Sequence, residues 1–264
     1  MLITVEQKKS LESLFHVIRV KNIQPGSKGT EKVEQILAYL EVIDSCVGKI
    51  SKKRELVFID SAAGNCYLSF LVYHYYKTLC DRQVMIHCID SNNRLMKNSR
   101  DIAEQLGFLN MTFHSGDILD LPMVKHVDIA YSLHACDTAT DKALWLGIEL
   151  DARYILSVAC CQHTIRKKFK NNAIKGVTRY KAFKEQLLYL VADTMRAHLV
   201  GMCGYKTDIF EFTSTRNTDK NIMIRATKMG CCQNSDSLKS EYAKLRQGFG
   251  FEPFLAKLIQ KDDM

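Results

Sequence analysis

Proline is nearly missing from this chain, with three in 264 residues. No low-complexity tract accompanies them, so long disordered linkers are excluded. There is no internal repeat, which excludes a solenoid or propeller. No apolar run approaches the roughly 20 residues needed to cross a bilayer. The opening Met-Leu-Ile-Thr-Val-Glu-Gln-Lys-Lys lacks the basic, apolar, small order of a secretory leader, so a cytoplasmic protein is expected. Ten cysteines are scattered along the chain with no Cys-x-x-Cys pair among them, which removes the commonest zinc signature. Several, such as Cys88 and Cys160, lie in apolar strand-like runs, as reduced buried thiols do.

What is present has ordinary globular proportions, 47% hydrophobic and 25% charged. The length suits one large α/β domain with appendages or two small domains. The net charge of +8 is unevenly placed: residues 151–230 hold 15 Lys/Arg against 6 Asp/Glu. Thr164–Lys184 has eight basic residues (Arg166, Lys167, Lys168, Lys170, Lys175, Arg179, Lys181, Lys184) and no acidic one. Such a field favours a polyanion such as RNA, and a solvated basic loop is the plain alternative.

The pattern from residue 56 onward alternates strands and helices. Leu56–Asp60 is an apolar run ending in an acid, followed by Ser61-Ala62-Ala63-Gly64-Asn65-Cys66 and an amphipathic run expected to be helical to about Leu79. A small-residue turn there lets backbone N–H groups come close to a ligand. Further strands are expected at Val84–Asp90, Met111–His114, Val127–Leu133 and Tyr154–Val158. Helices are expected at Asn92–Leu106 ending on Gly107, at Thr138–Leu150 capped near Asp137 or Thr138, and at about Tyr180–Leu199. Lys206–Phe212 and Asn221–Thr227 read as adjacent strands with no helix between them. Two helices, 4–19 and 30–48, precede the first strand, with a turn at Gln24-Pro25-Gly26-Ser27. The expected fold is α/β, a mostly parallel seven-stranded sheet with one antiparallel edge hairpin. The expected division is an N-terminal helical segment, 1–50, a central domain, 51–230, and a helical C-terminal extension, 231–264.

Ligands of such sheets sit beyond the carboxyl ends of the strands. Asp60, Ala62 and Gly64 stand after the first strand. Asp90, after the second, is suited to accept from the vicinal hydroxyls of a ribose. Asp117 and Ile118, after the third, are suited to an adenine, the carboxylate taking the amine and the isoleucine packing on the ring. A turn or cap aspartate is the plain reading of any one of these, and three in register favour an adenosine-containing cofactor. The bulky Tyr67, where a dinucleotide fingerprint has its third glycine, disfavours a pyrophosphate and points to S-adenosyl-L-methionine. Ser132-Leu133-His134-Ala135-Cys136-Asp137 and Cys160-Cys161-Gln162-His163 follow the fourth and fifth strands and should be neighbours. Histidine there suits a general base, the thiols suit packing beneath the cofactor, and no spacing supports a metal site.

Asp60–Leu68, Leu133-His134-Ala135-Cys136-Asp137-x-Ala139-Thr140-Asp141 and Cys160-Cys161-Gln162-His163 together resemble class I S-adenosylmethionine-dependent methyltransferases. The subgroup is that of bacterial and eukaryotic methyltransferase-like proteins. The two later motifs are similar to those of the tRNA acceptor-stem ribose 2′-O-methyltransferase. The resemblance covers about residues 30–228 and implies a Rossmann-like fold. It implies Asp60, Ala62, Gly64, Asp90, Asp117, Ile118 and Leu133 as cofactor-binding residues, and His134 and His163 facing the acceptor. RNA is the favoured acceptor. The alternatives are an RNA-binding protein that keeps the fold without catalysis, and a small-molecule or protein methyltransferase.

Overall fold

Five strands, β1 (Leu56–Ser61), β2 (Val84–Asp90), β3 (Met111–Ser115), β4 (Ile129–Cys136) and β5 (Tyr154–Cys161), run parallel. A hairpin of β6 (Tyr205–Glu211) and β7 (Ile222–Lys228) completes the sheet, with β7 antiparallel to both β5 and β6. The spatial order is β3-β2-β1-β4-β5-β7-β6. The seven-stranded, mostly parallel sheet with an antiparallel edge hairpin is the expected one. The order reverses between β1 and β4, so the crevice beyond their carboxyl ends is where this architecture receives a ligand. This computed structural model describes residues 3–21, 29–169, 174–215, 220–229 and 235–262. The expected turn at Gln24–Ser27 and the basic residue Lys170 lie outside the described residues.

Successive strand side chains point to opposite faces, and both faces are covered. On one face, α1 (Val5–Lys21), α2 (Gly29–Val47), α3 (Tyr67–Tyr73) and α4 (Asn93–Leu106) enclose a core that includes Leu11, Phe15, Ile36, Tyr39, Phe58, Phe70 and Ile86. On the other, α5 (Thr138–Glu149), α8 (Lys181–Met202), α9 (Ser235–Phe249) and α10 (Leu255–Asp262) enclose Ile59, Ala130, Leu144, Met195, Val200 and Leu255. This double burial is why the strands read as unbroken apolar runs. The N-terminal helices share their core with β1, and the C-terminal helices share theirs with α5 and α8. No helix among the described residues is long and apolar enough to cross a membrane.

Several boundaries differ from expectation. The helix after β1 keeps α-helical form only to Tyr73 and continues as a π-helical segment, His74–Leu79. Both β4 and β5 run three residues further than their apolar composition suggests. The extra residues stay paired through Ala135 beside Ala159 and Cys136 beside Cys161, with register shifts around His134 and Ala135. Backbone hydrogen bonding, not hydrophobicity, holds these ends together, which is why an apolar pattern stops short of them.

Candidate functional site

The β1 loop is shaped by three residues with left-handed backbone: Ala62 (φ 59°), Gly64 (φ 54°) and Cys66 (φ 54°). It is stitched to the end of β2 by two hydrogen bonds. The Ala63 amide donates to the Ile89 carbonyl at 3.0 Å, and the Gly64 amide donates to Asp90 Oδ2 at 2.9 Å. The other Asp90 oxygen accepts from the Asn92 amide at 2.8 Å. Each carboxylate oxygen has a second acceptor position, so Asp90 fixes the loop and keeps capacity for hydroxyl donors. A side chain added at Gly64 would meet no atom within 4 Å, so the outer side of the loop is open space.

Asp60, expected at the end of the first strand, lies within β1. It is buried, and Oδ2 accepts from the Ser69 hydroxyl at 2.5 Å, with Ser69 also 2.6 Å from the Tyr131 hydroxyl. Alternation explains this: Asp60 points into the layer that holds Phe58 and Tyr131 and supports the loop from beneath. Burial pushes its carboxyl up to about 7. Beyond β3, Asp117 caps a single 3-10 turn, Ile118–Asp120, through the Leu119 amide, and it pairs with Lys142 of α5. The Lys142 ammonium holds the Asp117 carboxyl below the usual range. Ile118 is buried in the second core, and Leu133 packs against the first.

At the end of β4 the chain bulges. His134 has a left-handed backbone (φ 66°), and its Nε2 lies 2.9 Å from Gln35 Oε1 on α2. Because Gln35 Oε1 can only accept, Nε2 carries the proton. Tyr39, also on α2, donates to the carbonyls of Ser132 and Leu156 at 3.2 and 2.9 Å, pinning β4 to β5. The Asp137 side chain does not cap its own helix. Its carboxylate instead takes the Thr164 amide (3.1 and 3.2 Å) and the Thr164 hydroxyl (2.5 Å), tying the end of β4 to the start of α6 (His163–Lys168). His163 is exposed at the head of α6. Gln162, just before it, is buried with both amide atoms unpartnered among the described residues. The thiols of Cys136, Cys160 and Cys161 lie within 4.8 Å of one another. The two strand ends are therefore neighbours, as their order in the sequence implies.

Asp141, the last residue of the β4 motif, serves the fold. The fully buried Arg196 of α8 donates to both its carboxylate oxygens (2.9 and 3.2 Å) and to Asp193 Oδ1 (3.0 Å). Arg196, Lys142 and Gln35 are absent from the sequence reading. A detectable signal existed for Arg196, which falls in register with the buried Leu188, Ala192 and Leu199. A cavity of about 520 Å³ is lined by Asp137, Thr164, Lys168, Arg246, Phe251 and Phe254.

Comparison with known proteins agrees with this architecture. The chain is similar in structure to a CurJ carbon methyltransferase, with a TM-score of 0.51 and 11% identity over 77% of this chain and 56% of the other. It is also similar to a putative class I S-adenosylmethionine-dependent methyltransferase from Listeria monocytogenes (TM-score 0.47, 13% identity, 90% and 78% covered). A third likeness is to a geranyl diphosphate methyltransferase (TM-score 0.47, 10% identity, 78% and 85% covered). No curated protein matches the sequence. A family profile described as a methyltransferase domain matches residues 31–168, which take in the β1 loop, the Asp90 and Asp117 positions and both strand-end motifs. The chain belongs to that methyltransferase-domain family.

Proposed function

We propose that this protein is an S-adenosylmethionine-dependent methyltransferase whose acceptor is RNA. The residues fit the cofactor. The β1 loop presents an open glycine at the switch point of the sheet, Asp90 stands beside it, and Tyr67, buried against Phe15, stands at the helix start where a dinucleotide fingerprint has its third glycine. Gly64 and Ala62 would receive the amino-acid end and Asp90 the ribose. Asp117, Ile118 and Leu133 would border the adenine side, and buried Asp60 would hold the loop from below. S-adenosylmethionine supplies an activated methyl group when bound. The chain's part is then to align the acceptor, which carries much of the acceleration in such transfers. His134, fixed by Gln35, and exposed His163 are the groups suited to take a proton from an acceptor hydroxyl.

The observation that supports RNA is a basic and aromatic surface that starts at the candidate site. α6 begins with His163 and ends in Arg166, Lys167 and Lys168, and Lys168 lines the cavity beside Asp137. α7 (Lys175–Thr178) and the start of α8 carry on with exposed Lys175, Arg179 and Lys181. Among these cations stand Tyr180 and Phe183, which are 50% and 54% exposed, too open for core packing. Aromatic faces interleaved with cations suit unpaired bases and their phosphates. The similarity of the two strand-end motifs to the tRNA ribose 2′-O-methyltransferase agrees with this reading.

Calorimetry with S-adenosylhomocysteine tests the cofactor. Asp90→Ala should weaken binding by about ten-fold or more through lost charge-assisted hydrogen bonds. Binding of NAD in its place would overturn the reading. RNA affinity should fall log-linearly with salt, and Lys167→Ser with Lys168→Ser should shallow the slope by about 0.7–0.9 per phosphate contact. A flat salt dependence would remove RNA and leave a small neutral acceptor.

A further inference from the structure

The cysteine cluster at the ends of β4 and β5 is not used by the proposed reaction, and its geometry is unusual for packed thiols. Adjacent residues of a strand point to opposite faces, yet Cys160 and Cys161 bring their sulfurs to one point with Cys136. The irregular pairing around His134 and Ala135 makes this convergence possible. Cys160 Sγ lies 3.3 Å from the His134 carbonyl and 2.8 Å from Cys136 Sγ. The cluster also lies at the surface: Cys136 is exposed and the other two are half-buried, whereas Cys46, Cys66 and Cys88 are buried as ordinary core thiols. We propose that Cys136, Cys160 and Cys161 form a binding site for one Zn²⁺ ion, with solvent at a fourth position beside exposed Cys136.

Zinc binds thiolate sulfur at about 2.3 Å, so a tetrahedral site sets its sulfurs about 3.8 Å apart. The observed spacings, from 2.8 Å to within 4.8 Å, bracket that value. Three protein ligands with one open position are the pattern of zinc sites that exchange ligands, in contrast to closed four-ligand structural sites. The spacing in sequence hides the site. Two ligands are adjacent, the third is on another strand, and no Cys-x-x-Cys pair announces them. Binding of one Zn²⁺ replaces three thiol protons, which pass to solvent, and three Zn–S bonds form with no change of oxidation state.

The test is titration of the full chain with Zn²⁺ against a chromogenic chelator, after reduction with a phosphine and under argon. One ion per chain and three protons released are expected. Cd²⁺ as a probe should give a thiolate charge-transfer absorption scaled to three sulfurs. Loss of a ligand in Cys136→Ser, Cys160→Ser or Cys161→Ser should cost more than the about 10- to 100-fold that loss of an outer-shell partner costs. Exposed Cys80, outside the cluster, serves as control, and Cys80→Ser should bind as the parent does. Because Cys136 is exposed, Cys136→Ser should keep the parent's circular dichroism and melting temperature. Binding that persists in the triple variant would overturn the site. So would a Cys136–Cys160 disulfide that forms regardless of added Zn²⁺.

Discussion

At the scale of single residues, Asp60 carries the clearest pH signature. Its buried carboxyl has one hydroxyl donor, Ser69, and no cation beside it among the described residues, so burial wins over the hydrogen bond. The carboxyl sits at about 7 in the folded protein and near 3.9 in an unfolded chain. Between those values the folded state holds a proton that the unfolded state has lost. Stability therefore falls as pH rises through that window, by up to about 4 kcal/mol in all. Asp60→Asn keeps an acceptor for Ser69 and removes the charge. It should flatten the decline and exceed the parent in stability above pH 7, as read from urea midpoints between pH 4.5 and 8. An unchanged slope would assign the decline to another group.

At the scale of elements, the packing of α5 on α8 turns on one buried cation between two carboxylates. Asp141 comes from α5, and Arg196 and Asp193 lie three residues apart on α8. Removing Arg196 strands two negative charges in the second core, a loss of about 3–5 kcal/mol for breaking a buried pair. Arg196→Met fills similar space, so it should show that loss in urea denaturation without a cavity contribution. A loss below about 1 kcal/mol would mean that water reaches the carboxylates.

The legible elements were those whose apolar period decides their packing: α2 with Ile36, Leu40 and Ile43 on one face, α4 ending at left-handed Gly107, and the cores of all seven strands. The strand ends were less legible. His134 to Cys136 and Ala159 to Cys161 are held by backbone pairing, and His134 also by Gln35 from a distant helix, so nothing in their own composition marks them as strand. The same holds at the candidate site. The placement of Gly64 and Asp90 at neighbouring strand ends was readable from strand order, while the burial of Asp60 followed from a single-residue alternation that brought its side chain beneath the loop.

At the scale of the whole molecule, the C-terminal helices are part of the second core and also brace the basic surface. Phe251 is buried, and with Phe249 it packs on Phe169, at centroid distances of 5.9 and 5.6 Å. Phe169 follows directly on Lys167 and Lys168, so the tail sets where those cations stand. Leu255 and Leu258 extend the same contact beneath α5 and α8. Phe251→Ala should therefore act at two places. Stability should fall by about 3–5 kcal/mol, the cost of emptying a buried phenylalanine site. On the proposed RNA reading, RNA affinity should also weaken at a temperature where the variant remains folded, because α6 loses its support, while S-adenosylhomocysteine affinity stays near that of the parent because the Gly64 amide is held by Asp90 of β2. Melting curves and the two binding measurements on one preparation separate these effects. Equal losses of RNA and cofactor affinity would mean that Phe251 supports the cofactor site as well as α6. An RNA affinity equal to the parent's would mean that α6 holds its position without the tail.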